Sequence, residues 1–583
     1  MNDTRRHDLD ALRASAMLLG IVYHAALAFA AGFPWLVQDV SRTQGLYLFQ
    51  AASHGFRMPL FFLISGFFTA MLWRKRGLRA LLANRFRRIL LPCLLGLVTV
   101  VPVTLWLSAK AIQSGAQRRA QRPVQVERSD LWTAVTQGDA DAVSRLLAAG
   151  ADPNARHPQL GSTPLTAAAL LGHTRTVTVL LDGGAHVNSR NVDGGTPLHA
   201  AAFLGRADAA EVLLTRGADA AARNSRGETP SDSARVDWPT TRFIAGFLQI
   251  ELVREQVEAG REQILGRLQE SGAPAAEAVE TTAQGQRGNT SPGPWLRVAY
   301  GLMVVPVFAH LWFLWFLCWL AGGFACYALI ARWTGWQGPS SRWLLSPVGL
   351  ALPILATLIP QGLMGASNAG FGPDTSIGIL PMPHVLLYYA LFFGFGVLYY
   401  DCGDADNRLG RGWRWTLPAT LLLVFPPALE FGTGTLGFRD AWLPARYHAP
   451  AAVVFQTCYA WFMTFACLGM FRSLLTRENR TIRYLSDSAY WLYLAHLPLI
   501  LGAQIIVRDW PLPAPVKWLL LTLVVTGLLL LVYETLVRYR WLGTLLNGPR
   551  LRRIDLRTAG DMTARNKPQI QPQSHSDEGH RAP

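Results

Sequence analysis

Ten apolar stretches, at 14–33, 56–73, 89–108, 310–331, 344–364, 384–400, 415–431, 450–471, 489–507 and 515–537, constrain this chain more than anything else in it. Each approaches the roughly 20 residues that a helix needs to cross a hydrocarbon core of about 30 Å. At that depth the backbone must satisfy its own polar groups, and a helix does so within one segment. The expected fold class is therefore all-α, a polytopic membrane bundle of about ten transmembrane helices.

Charge placement orients the bundle. The net charge is +16, but the basic residues cluster beside apolar runs, as in RKRGLRALLANRFRR (74–88) and RYRWLGTLLNGPRLRR (538–553). This is a positive-inside pattern facing anionic lipid, and it argues against nucleic acid as a partner. With the N-terminus in the cytoplasm, the loops holding 74–88, 401–414, 472–488 and 538–553 fall on the cytoplasmic side, and so do both termini. The segment 295–309 reads as interfacial or re-entrant; a crossing there would reverse every later span. The first run follows Arg5 and Arg6 without a small-residue cleavage pattern, so it is expected to be retained as a span. Six cysteines, at 93, 318, 326, 402, 458 and 467, show no metal or disulfide spacing and read as buried small hydrophobes.

A soluble insert, 109–296, separates the third and fourth runs. GSTPLTAAALLGHTRTVTVLLDGGAHVNSR at 161 recurs as GGTPLHAAAFLGRADAAEVLLTRGADAAAR at 194, with Thr-Pro pairs at 163, 196 and 229. Thr and Pro open a helix, alanines permit close packing, and Gly-Ala-Asp turns into the next unit. The 33-residue period resembles the ankyrin repeat. The expected organisation is 1–108, the first three spans; 109–296, the insert, with repeats over about 129–235, a capping helical segment at 241–270 and a linker at 271–294; 297–553, the remaining spans; and 554–583, a disordered cytoplasmic tail.

Polar side chains inside the apolar runs are the functional suspects, since burying one in lipid costs roughly 2.5–3.5 kcal/mol for Arg or Asp. In LDALRASAMLLGIVYH (9–24), Arg13 and His24 are eleven positions apart. That is about three turns, which places both on one face with a rise of roughly 16 Å. Arg13 is expected at the cytoplasmic boundary and His24 near mid-membrane. On depth alone, His24 is either functional or a helix-packing hydrogen bonder, and the arginines are either ligand contacts or interfacial anchors.

Five segments in order resemble the membrane acyltransferase-3 family, and within it the glucan-biosynthesis, type C succinyltransferase-like branch. They are LDALR with His24 eleven residues on; FRMPLFFLISGFF (56–68); NRFRRILLPCLLGLVTVVP (84–102), with Arg85 and Arg88; HLWFLWFL (310–317); and YLSDSAYWLYLAHLPLI (484–500). The resemblance implies transfer of an acetyl or succinyl group from cytoplasmic acyl-CoA to a hydroxyl of an extracytoplasmic glycan at the cell inner membrane. It implies acyl-CoA as donor substrate, with no further cofactor and no metal. His24 and Arg13 would be the catalytic residues, with His24 acting as general base or carrying the acyl group transiently. Arg85 and Arg88 would bind the phosphates of acyl-CoA.

Arg57, His310, His496 and Tyr493 are candidate substrate contacts. The alternatives are an interfacial His310 and a His496 that only serves carbonyls freed by Pro498. The insert, expected on the periplasmic side, would bind a protein or glycan partner or act as a spacer. The rival functions are a glycan or acyl-donor transporter, and a membrane-anchored ankyrin scaffold.

Overall fold

Apolar length becomes helix at every expected span. The computed structural model describes residues 6–121, 131–156, 162–270, 301–364 and 371–547, apart from positions 34, 192, 225–226, 248–249, 251, 304, 337–338, 405, 476 and 478. Among the described residues there is no strand, only an isolated bridge between Ala30 and Thr43. Nine helices there are long and apolar enough to cross a membrane, and the protein is a multi-pass membrane protein.

Nine helices replace the ten expected because the second and third spans are continuous. The segment Gln44–Gly115, 72 residues, is about 108 Å of helix and long enough for two crossings. It comprises α2 (Gln44–Arg85), a π-helical turn (Phe86–Leu90) and the start of α3 (Leu91–Gln121). The intervening basic loop is rich in Arg, Leu and Ala, all good helix formers, so it stays helical. Its break falls at Gly77, where φ is 79°, a conformation that glycine adopts without strain.

The first span also differs. α1 covers His7–Ala26, followed by a 3₁₀ turn at Leu27–Phe29. Asp8 and Asp10 occupy its first turn and suit the positive end of the helix dipole. Beyond Phe29 the chain turns, with Thr43 N–H bonded to Phe29 O and Ala31 N–H to Thr43 O. His24 therefore lies in the last turn of α1 rather than at mid-span. The other crossings are α4 (Trp312–Thr334), α5 (Pro347–Met364), α6 (Pro383–Cys402), α7 (Trp413–Thr433), α8 (His448–Leu474), α9 (Arg480–Val507) and α10 (Ala514–Val537). Of the ambiguous segment 295–309, residues 295–300 lie outside the described residues. Residues 305–308 are not helical, and Val307 and Phe308 bond through their N–H groups to Ile377 O.

Two contacts set the frame of the site. α2 and α6 pack antiparallel, backbone on backbone: a Cβ on Gly66 would lie 1.9 Å from Phe393 O, and one on Gly396 would lie 2.0 Å from Leu63 O. α1 and α9 run parallel, joined from Arg13–Ser486 at one end to His24–His496 and His24–Gln504 at the other. Two further ties hold the loops. Arg74 meets Asp401 at 2.8 Å, bringing the basic loop at 74–88 against the one at 401–414. Lys517 on α10 meets Asp39 of the loop after α1 at 2.8 Å, both side chains wholly buried.

The insert is a helical solenoid with its own alanine-rich core. Its helix pairs are Leu131–Gln137 with Ala140–Ala148, Pro164–Leu171 with Thr174–Asp182, and Pro197–Phe203 with Ala207–Thr215. Each Thr-Pro pair places Thr at the N-cap and Pro in the first turn. The stretch 241–270, expected as one helical segment, holds the end of Trp238–Phe247 and then Arg254–Glu270. The latter caps the array through Ile264 and Leu268. The linker at 271–294 and the tail at 554–583 lie outside the described residues.

Candidate active site

Three histidines from three distant parts of the chain converge where α1, α4 and α9 meet. His24 and His496 rings lie 4.9 Å apart between centroids, and His310, just before α4, meets His496 edge-on at 5.6 Å. Their protons follow from their partners, because a carbonyl only accepts. His496 Nδ1–H donates to Tyr493 O (2.8 Å), which leaves the lone pair on Nε2. That nitrogen faces His24 Nδ1 at 3.1 Å. His24 Nδ1–H is directed at both this lone pair and Gly20 O (2.8 Å). His24 Nε2 consequently keeps an unprotonated lone pair, and His24 is half-buried while His496 is only 3% exposed.

Pro498 explains the third ring. It has no N–H to give to Leu494 O, four residues earlier in α9. His310 Nε2–H takes that carbonyl at 3.1 Å. The backbone before it, Ala309, sits at φ 44°, a strained setting for a residue with a Cβ and one that recurs at functional sites. Tyr493 donates its hydroxyl to His310 O at 2.5 Å, so this hydroxyl holds a neighbouring backbone. Arg57 lies beside the same cluster with its guanidinium over the Tyr23 ring, 4.1 Å from the centroid.

Residues that the sequence reading missed complete the surroundings. Gln504 donates to His24 O (2.9 Å) and accepts from Trp35 Nε1 (2.9 Å). Tyr23 O–H bonds to His54 Nδ1 at 3.3 Å. Gln504 and His54 had a signal, a polar side chain inside or beside an apolar run. Trp35 and Tyr23 had none, since nothing local distinguishes them from other interfacial aromatics.

The arginines gather at the opposite end of α1. Arg13 donates to Ser486 Oγ (2.8 Å), approaches Asp10 at 3.4 Å and lies 5.8 Å from the centroid of Phe68. Arg85 donates to Thr69 Oγ1, the residue next to Phe68, at 2.5 Å. Arg88 is exposed and donates to Asn547 O (3.2 Å), while Asn547 donates to Asp487 O, next to Ser486. Through these neighbours Arg85 and Arg88 gather on the side of Arg13, which lies about three helical turns from His24 along α1, and the described residues contain no cluster able to hold a metal ion.

A family model described as an acyltransferase domain matches residues 6–114 and 285–534, more than half of the chain, and the chain belongs to that acyltransferase-3 family. A second model, for three ankyrin repeats, matches 131–224. Among curated relatives, the chain is similar to Glucans biosynthesis protein C of Escherichia coli (strain K12) and of Salmonella paratyphi B (strain ATCC BAA-1250 / SPB7). Each is 37% identical over 99 residues, which is 17% of this chain and 24% of the relative. The chain thus spans about a quarter of the length of the curated relatives it matches.

Proposed function

We propose that the protein is an O-acyltransferase of the cell inner membrane that takes an acyl group from cytoplasmic acyl-CoA and delivers it to a hydroxyl of an extracytoplasmic glycan. The observation that carries this reading is the pair of contacts made by His24 Nδ1, with Gly20 O and with His496 Nε2, which assign its proton to Nδ1. With Nδ1–H engaged by Gly20 O and His496 Nε2, the Nε2 lone pair is free to take the proton of an attacking hydroxyl. His496 then faces the imidazolium with a lone pair and steadies its orientation, while His310 and Tyr493 hold the α9 side of the cluster.

Arg13, Arg85 and Arg88 would take the phosphates of the donor, whose thioester arm extends along α1 toward His24. The positive-inside pattern favours an orientation in which the arginines and both termini would be cytoplasmic and the insert would lie on the outer side. A glucan acceptor is suggested by the names of the relatives, and a protein partner for the insert by its repeats.

Membranes containing the protein, given labelled acetyl-CoA or succinyl-CoA and cell-envelope glycan, should yield an acylated polymer identifiable by mass spectrometry. His24→Ala should lower that transfer by about 10²–10⁴-fold, the usual contribution of a general base. Undiminished transfer at normal protein level would refute the assignment.

A further inference from the structure

Arg57 is the one cation in this cluster for which the geometry leaves its hydrogen-bonding edge unused. Its residue is 6% exposed, and Nε and Nη1 are buried with no partner among the described residues. The face of the guanidinium is taken by Tyr23, which leaves the in-plane N–H groups directed away from the ring. Gly20 lies beside it: a Cβ there would be in ordinary contact with Arg57 Nη1, at 3.5 Å. The carbonyl of the same Gly20 accepts from His24 Nδ1. His24 and the unpaired guanidinium are therefore both neighbours of one glycine of α1.

A buried cation without a hydrogen-bonding partner is costly even after the surroundings relax. Such a group is retained where an anion is to arrive. The chemistry next to it generates one. When a hydroxyl oxygen attacks the thioester carbonyl carbon, the C–O bond forms, the hydroxyl proton passes to His24 Nε2, and the carbonyl π electrons move onto oxygen. As the C–S bond breaks, that pair returns to the carbonyl, and the leaving thiolate takes the proton back from His24. No electrons are gained or lost.

We propose that Arg57 binds the oxyanion of this tetrahedral intermediate through its unpartnered N–H edge, and so acts as the catalytic electrophile opposite His24. The inference rests on the acyl-transfer reading. Donors aimed at developing charge act mainly in the transition state, so they raise kcat with little effect on ground-state binding.

The test uses full-length protein in membranes with labelled acetyl-CoA and succinyl-CoA. Arg57→Gln should lower kcat by about 10²–10³-fold for both donors, with KM for donor and acceptor within twofold of wild type. Arg57→Lys, which keeps a charge in the same place, should recover part of the loss and also reports that the site tolerates substitution. A raised KM with kcat retained, or a loss confined to succinyl-CoA, would make Arg57 an anchor for a ground-state anion and overturn the proposal. His24→Ala separates the two levels. If wild type transfers nothing, the enzyme reading itself falls; if wild type and His24→Ala transfer equally, His24 as base falls and the oxyanion proposal with it; if only Arg57→Gln matches wild type, the oxyanion assignment alone falls.

Discussion

In the proposed mechanism His496, whose Nε2 lies 3.1 Å from His24 Nδ1, would perform without charge the task that a carboxylate performs behind the histidine of a Ser-His-Asp triad. A neutral imidazole can fix a tautomer through its lone pair, and it avoids placing an anion in a membrane-embedded cluster where an isolated carboxylate would be expensive. The assignment is quantitative. His496→Ala removes one of the two acceptors for His24 Nδ1–H and leaves Gly20 O, so the ring is less well directed. Its kcat is expected to fall by about 10- to 100-fold, within the range attached to small misplacements of reacting groups, while KM for acyl-CoA is unchanged. His496→Gln, whose amide oxygen can accept the same proton, should recover part of the rate. Labelled-donor kinetics decide it: wild-type kcat in His496→Ala would reduce His496 to packing.

At the scale of the element, the instructive position is Pro498. A proline inside a long apolar helix reads as a defect, yet here it releases the Leu494 carbonyl that orients His310. Pro498→Ala returns a helix N–H to that carbonyl and makes it compete with His310. The expected result is intact or higher protein stability in thermal aggregation assays, with acyl transfer reduced by about one to two orders of magnitude. A variant with unaltered transfer would show that His310 needs no such help. The helices themselves were readable from the sequence, because crossing lipid imposes a length and a composition on each one separately. Their ends were less so. Apolarity alone started α1 at residue 14, whereas the structure starts it at His7 and turns the chain after Phe29. That shift moves His24 from mid-span to the last helical turn. His24, His310, His496, Tyr493 and Arg57 were all legible as polar or motif residues, but their convergence was not. It depends on α1 lying parallel to α9 nearly five hundred residues away, and on Gly66 and Gly396 letting α2 and α6 touch. Gln504 and Trp35 were missed for the same reason: each acts through a partner remote in sequence.

The whole molecule divides its stability between a membrane bundle and a solenoid with separate cores, so the two should respond differently to acid. In the solenoid His199 caps its helix with Nδ1 accepting from Thr196 N–H (3.2 Å), while Nε2–H donates to Glu228 O (3.0 Å). Burial pushes its pKa down, against the opposing pull of the Glu228 carbonyl. Below the ordinary histidine value of about 6.5, the unfolded repeat takes up the proton first. The contribution of His199 is thus present at neutral pH and lost as pH falls below that value. Amide-exchange protection across 194–235 in the full chain, corrected for the pH dependence of the intrinsic exchange rate, should fall between pH 7 and pH 5.5, with little change in α2 and α6, and His199→Gln should flatten the effect. Equal acid sensitivity in wild type and His199→Gln would remove His199 as the cause. The pairing of Lys517 with Asp39 has a consequence for biosynthesis. The loop that brings Trp35 to Gln504 above His24 carries an acid whose only described counter-charge is on the final span. Until the ribosome has delivered that span, the loop over His24 lacks this tie, and a chain that stops short of it keeps Asp39 without the Lys517 counter-charge.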